Sequence, residues 1–110
     1  LPFAEAEPGV TGLELLLPLT LKWASETRTS LLAALAKITA GASAVLGLGE
    51  TAGTLREGAP ADLCLFDPEQ AWTVTREGLA SQGRHTPYLG MEVVGRVRVT
   101  VVDGRVLFER

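Results

Sequence analysis

The apolar positions of this chain change period near its middle. Up to residue 48 they recur at helical intervals, and from Thr54 onward they follow the alternation of strands. The first greasy stretch, Leu13 to Leu21, begins within Thr11-Gly12-Leu13-Glu14, a Thr-x-x-Glu arrangement that suits a capping box. In that box the Thr11 hydroxyl accepts from the Glu14 N–H, and the Glu14 carboxylate accepts from the Thr11 N–H. Val10 and Leu15 have the spacing of a hydrophobic staple. Pro18 has no N–H to donate and its ring crowds the Glu14 carbonyl, so the pattern predicts a short first turn, a kink, and a helix resuming to about Ala24. A second helix is predicted from near Thr29 to Ala40, with Leu31, Leu32, Leu35 and Ile38 on one face and Gly41 as a left-handed stop. A third, short helix covers roughly Ala42 to Gly47.

Glycines at 47, 49, 53 and 58 then punctuate the chain. Residues 53–67, GTLREGAPADLCLFD, predict a short strand, a turn at Arg56-Glu57-Gly58, and a buried strand from Leu63 to Phe66 that Asp67-Pro68-Glu69 ends. Trp72-Thr73-Val74 reads as another brief extended piece. From Glu92 to Glu109 the alternation is clearest, with Val93, Val97, Val99 and Val101 set among Arg96, Arg98 and Thr100. The Asp103-Gly104 pair before Val106-Leu107-Phe108 marks a hairpin with a type I′ turn. Leu63, Leu65, Val97, Val99 and Val101 are therefore expected in the core of a small β-unit. If Leu65 is fully buried there, Leu65→Ala costs roughly 2–5 kcal/mol.

Composition narrows the function classes. With 110 residues and 46% hydrophobic side chains, the chain can build one modest core or form part of a larger domain. The net charge of −3, from 13 acidic and 10 basic residues, offers no basic field for phosphates, which argues against a nucleic-acid partner. Leu13–Leu21 is about half the ~20 residues that cross a bilayer, and it contains Glu14 and Pro18, so no membrane span is expected. The opening LPFAEAEPG carries Glu5 and Glu7 and lacks the cationic start of a signal peptide. It begins on Leu1 instead of methionine, as a processed chain or a piece of a longer one would. The lone Cys64 sits in an apolar run, is expected to be a buried and inert thiol, and suits a reducing, cytoplasmic compartment.

The inventory for catalysis is thin. His85 is the single histidine, set in a polar turn before Thr86-Pro87, and one histidine with one distant cysteine does not furnish the three ligands of a catalytic zinc. No nucleophile elbow or phosphate-binding glycine loop occurs. Asp62 is expected to turn backbone at a strand start, Glu5 and Glu7 to lie in a solvated loop, and Trp23 and Trp72 to serve core or interface. This segment by itself is expected to contain no catalytic residue and no metal ligand.

The ordered set of motifs resembles the C-terminal portion of dihydroorotases of the cyclic amidohydrolase superfamily. The matching residues are Pro2-Phe3, Pro8-Gly9-Val10-Thr11-Gly12-Leu13-Glu14 with Leu17-Pro18-Leu19, Leu46-Gly47-Leu48, the run Gly53 to Leu63, Thr86-Pro87-Tyr88-Leu89-Gly90, Gly95-Arg96-Val97 and Asp103-Gly104-Arg105-Val106. The G-x-L-x-x-G-x-x-A-D-L run is shared with hydantoinases and allantoinases, while P-G-x-x-G-L-E favours dihydroorotase. The resemblance implies an α/β fold class: the C-terminal part of a metal-dependent (α/β)8-barrel. Residues 1–49 would be the end of that barrel, its substrate loop and terminal helices, and residues 50–110 the C-terminal strands of a composite β-sandwich.

It also implies the function. The whole enzyme would hydrolyse dihydroorotate to N-carbamoyl-aspartate, or close the ring in reverse, in pyrimidine biosynthesis, with zinc held by residues upstream of Leu1. Pro8 and Gly9 occupy the positions of the loop that offers backbone groups to the substrate. The implied partners are dihydroorotate, the upstream barrel, further copies in a homo-oligomer, and aspartate carbamoyltransferase. The chain departs from the family pattern at Gly41-Ala42-Ser43-Ala44, where Asn-Pro-Ala-Arg is frequent, and at Ala6-Glu7-Pro8-Gly9, where Ala-Pro-Phe-Gly is frequent. The latter form resembles the non-catalytic dihydroorotase-like proteins that accompany aspartate carbamoyltransferase, which keeps a scaffold as the alternative to an enzyme.

Overall fold

The computed structural model describes residues 2–6 and 9–110. A 3-10 turn at Leu13–Leu15 runs directly into α1 (Leu16–Thr27). Pro18 is thus the third residue of α1, within the first turn, where N–H groups have no intrahelical acceptor and proline is tolerated. The expected kink and interruption at Pro18 are replaced by this helix start. Nor does the capping box form: neither the 3-10 turn nor α1 has a side-chain cap, and Val10 is 58% exposed instead of stapled. The helix runs three residues beyond Ala24 and stops at Arg28, whose φ of 56° is left-handed, with the Thr29 N–H reaching the Ala24 carbonyl at 2.8 Å.

α2 (Leu31–Ile38) starts where Ser30 Oγ accepts from the Ala33 N–H at 3.2 Å. Thr39, at φ −127° and ψ −94°, breaks it from α3 (Ala40–Val45). Gly41 therefore lies inside α3 and is not the expected stop. A Cβ at Gly41 would stand 2.8 Å from the Ala36 carbonyl oxygen, so its value is close approach between the two short helices. The leucine face of α2 is not buried in this chain: Leu31 is 47% and Leu32 80% exposed, and Ala34 is the residue that packs inward.

The three strands β1 (Leu63–Thr73), β2 (Glu92–Val102) and β3 (Arg105–Glu109) form one antiparallel sheet in the order β1-β2-β3. No strand forms at Thr54–Arg56, although the Ala59 N–H closes the expected turn onto the Arg56 carbonyl at 3.1 Å. Asp67-Pro68-Glu69 does not end β1. Between Asp67↔Arg96 and Ala71↔Val94, β1 advances four residues against two on β2, and this bulge holds Pro68 where no ladder N–H is needed. Asp67 Oδ1 accepts from the Glu69 N–H at 2.9 Å within it. The hairpin from β2 to β3 has φ of 48° at Asp103 and 77° at Gly104, the two positive values of a type I′ turn. Asp62 acts on backbone as expected, but on this distant turn, accepting from the Asp103 N–H at 2.8 Å.

The core lies at one end of the sheet. Leu15, Val74, Leu79 and Val93 are buried together, with Leu19, Trp72, Tyr88, Leu89 and Met91 packed around them. Of the expected core positions, Leu63, Val97, Val99 and Val101 are only partly covered and Leu65 is 51% exposed. Strand alternation sorts residues between two faces but does not supply the layer that covers a face. Cys64 also departs from expectation, since its side chain is exposed.

These burials reverse the order of mutational costs. Leu15→Ala is expected to cost about 2–5 kcal/mol, whereas half-exposed Leu65 should lose about 1 kcal/mol or less in the same change. Urea unfolding midpoints of the two variants measure both, and equal shifts would place the core elsewhere.

Candidate functional site

The first candidate position, Pro8, lies outside the described residues. Gly9 is exposed, with φ of +83°, and an added Cβ would meet nothing within 4 Å. Its backbone therefore stands open, in a conformation that residues with a side chain adopt reluctantly. At that φ a β-branched side chain such as valine would enter only with backbone strain.

Two residues further on, the chain is tied down. The Thr11 N–H donates to the His85 carbonyl at 2.6 Å. Glu14, expected to cap its own helix, instead reaches across the molecule: Oε1 accepts from the Ala80 N–H and Oε2 from the Ser81 N–H, each at 2.9 Å. The partners come from the connection between β1 and β2, 66 and 67 residues away. That connection is held in turn by the strand ends. The Gly90 N–H reaches the Val74 carbonyl at 2.8 Å, the Val74 N–H reaches the Met91 carbonyl at 3.0 Å, and Leu79 is buried beside Leu15. Sequence reasoning singled out Glu14 but gave it a local acceptor role, because the capping-box spacing offers a partner three residues away and nothing in the pattern points to Ala80 and Ser81.

Two concavities flank this anchorage. An open groove of about 680 Å³ runs beside Gly12, between α1 and α2, with Val10, Trp23, Lys37 and Tyr88 among its walls. On the other side a cavity of about 420 Å³ is bounded by Leu13, Pro18, Trp72, Arg96, Phe108 and Arg110. Trp72 donates its indole N–H to the Gly95 carbonyl at 2.7 Å, and the Arg96 guanidinium carbon sits 5.0 Å from the Trp72 ring centre. The buried Arg96 Nε has no hydrogen-bond partner among the described residues. Desolvation first, and then the charge of Arg96, lower the pKa of Arg110.

Among the described residues no three His, Cys, Asp or Glu side chains gather to hold a metal ion. His85 is exposed, and the hydrogen bond it makes to the entrance of α1 comes from its carbonyl. No helix among the described residues is long and apolar enough to cross a membrane.

Residues 21–108 match the amidohydrolase family. The chain belongs to that family. It is 41% identical over 106 residues to a dihydroorotase of Trichlorobacter lovleyi, covering 96% of this chain and 24% of the relative. It is 43% identical over 108 residues to a dihydroorotase-like protein of Pseudomonas aeruginosa, covering 98% and 25%. The fold is that of the corresponding part of D-hydantoinase (dihydropyrimidinase) from Thermus sp., with a TM-score of 0.85 and 23% identity over 97% of this chain and 24% of that one. The chain thus spans about a quarter of the length of the curated relatives it matches.

The Cys64 thiol of β1 supplies a separate test. Desolvation raises the Cys64 pKa although the side chain is exposed, so less of it is thiolate at any pH below that value. Alkylation by iodoacetamide at pH 8 is expected to be slower in the folded chain than in urea, and a faster folded-state rate would contradict it.

Proposed function

We propose that this amidohydrolase chain is the C-terminal part of a dihydroorotase, which opens the cyclic amide of dihydroorotate to N-carbamoyl-aspartate or closes it in reverse. The observation that carries this reading is the identity to proteins named dihydroorotase along nearly the whole chain, 36–42% in six of them. In it, residues 1–49 complete a barrel and carry the substrate loop, and residues 50–110 are the C-terminal share of a β-sandwich. In this reading zinc and the proton-transferring groups belong to the rest of the protein; among the described residues no three His, Cys, Asp or Glu side chains gather. A place in pyrimidine biosynthesis in the cytoplasm, as a homo-oligomer, goes with this reading.

What this chain contributes is geometry. Pro8 and Gly9 offer main-chain groups to a small polar ring, and the absent Cβ at Gly9 leaves room for the ring to approach. The Thr11 and Glu14 hydrogen bonds fix the loop's exit, so that less ordering is required when substrate binds.

A second reading is favoured by the 43% identity to the Pseudomonas dihydroorotase-like protein and by Ala6-Glu7-Pro8-Gly9: a non-catalytic scaffold that holds aspartate carbamoyltransferase. The full-length protein decides between them. The enzyme reading expects bound zinc and turnover of dihydroorotate. A metal-free, inactive protein that co-purifies with aspartate carbamoyltransferase would favour the scaffold, and turnover of hydantoin or allantoin alone would move the substrate to another cyclic amide.

Gly9 gives a sharper test. Asparagine tolerates the left-handed region whereas valine does not, so in the active full-length protein Gly9→Asn should keep the melting temperature while lowering kcat/KM by about 10-fold or more. Gly9→Val should lose stability as well. Unchanged kcat/KM in Gly9→Asn would leave Gly9 a turn residue with no part in substrate handling.

A further inference from the structure

We infer that Glu14 is a positioning residue that couples the substrate loop to the β1–β2 connection, so that the β-unit sets the loop's place over the substrate. The inference rests on the reading of Pro8 and Gly9 as substrate-facing. Glu14 lies five residues beyond Gly9, at the middle of the 3-10 turn that leads into α1. Its two oxygens are each committed to a different backbone N–H, from Ala80 and Ser81, both at 2.9 Å. A carboxylate is the side chain suited to this task, because both its oxygens accept and its charge strengthens both bonds. Four residues further along the same connection, the His85 carbonyl takes the Thr11 N–H at 2.6 Å.

The loop's exit is thus held at two points, Thr11 and Glu14, by one connection. Between those points lies Gly12, and beneath them Leu15 is buried against Leu79 and Val74. Apolar burial of Leu15 fixes how deep the entrance of α1 sits, but it leaves sliding and rotation about that contact. The paired acceptors of Glu14 remove those freedoms because they engage two consecutive amides. A shift of the 80–85 segment is consequently transmitted to Thr11, two residues from Gly9.

Glu14→Gln tests the coupling in the full-length protein. Glutamine keeps one accepting oxygen but turns an NH2 toward the second N–H, donor against donor. The expected result is a rise in KM of about 10-fold with kcat changed less, as for lost ground-state positioning. It should be accompanied by about 10-fold faster hydrogen exchange at the amides of Ala80, Ser81 and Thr11, with exchange in β2 and β3 unchanged. Glu14→Ala should enlarge both effects.

Wild-type kinetics in Glu14→Gln and Glu14→Ala would overturn the inference, as would unchanged exchange at Thr11, which shows that the clamp does not reach the loop. If Glu14→Ala fails to fold while Glu14→Gln keeps wild-type kinetics, Glu14 is a stability residue and the inference is likewise overturned. If the wild-type protein lacks activity, the dihydroorotase reading fails by itself. Thr11 exchange in Glu14→Gln then still decides the coupling, faster exchange supporting it and unchanged exchange overturning it.

Discussion

The structure depends on the meeting of α1's entrance with the connection between β1 and β2. Backbone amides at a turn need acceptors, and the Ala80 and Ser81 N–H groups find theirs in Glu14. The same contact buries Leu15 against Val74, Leu79 and Val93. Without it, the helices would be held to the sheet chiefly by the packing of α1 on β2. A compact set of polar and apolar contacts therefore joins two halves whose residues follow different periods.

The location of this joint explains the uneven burial elsewhere. The core is concentrated where α1, the ends of β1 and β2, and their connection converge. Away from it, Leu32, Val45, Leu46 and Leu107 stand more than half exposed. The chain spans about a quarter of the length of the curated relatives it matches, and clustered apolar surface of this kind is a mark of contact sites. The sheet manages its own irregularity: Pro68 occupies a bulge, and the strand continues through it to deliver Trp72 and Val74 to the joint.

For the candidate site, position in the motif was legible and mechanism of support was not. Pro8-Gly9 followed by Gly-Leu-Glu marks a turn into a helix at the level of residue types, and Gly9 does hold a left-handed φ of 83°. The Thr-x-x-Glu spacing, however, points to a local cap, and the structure spends that glutamate on amides more than sixty residues distant. Both arrangements satisfy a carboxylate. Which one forms is decided by where the β1–β2 connection lies once Leu79 is buried.

The sequence by itself determined the change from helix to strand and the Asp103-Gly104 hairpin, because period and positive φ are properties of neighbouring residues. It also carried the family, through motifs spread along its length. Only the tertiary structure decided that Leu65 and Cys64 stay exposed on opposite faces of β1, that Pro18 falls in the first turn of α1, that Leu15 anchors the core, and that Glu14 clamps Ala80 and Ser81. Periodicity assigns a side chain to a face, whereas burial and long-range hydrogen bonds depend on which distant segment arrives to cover that face.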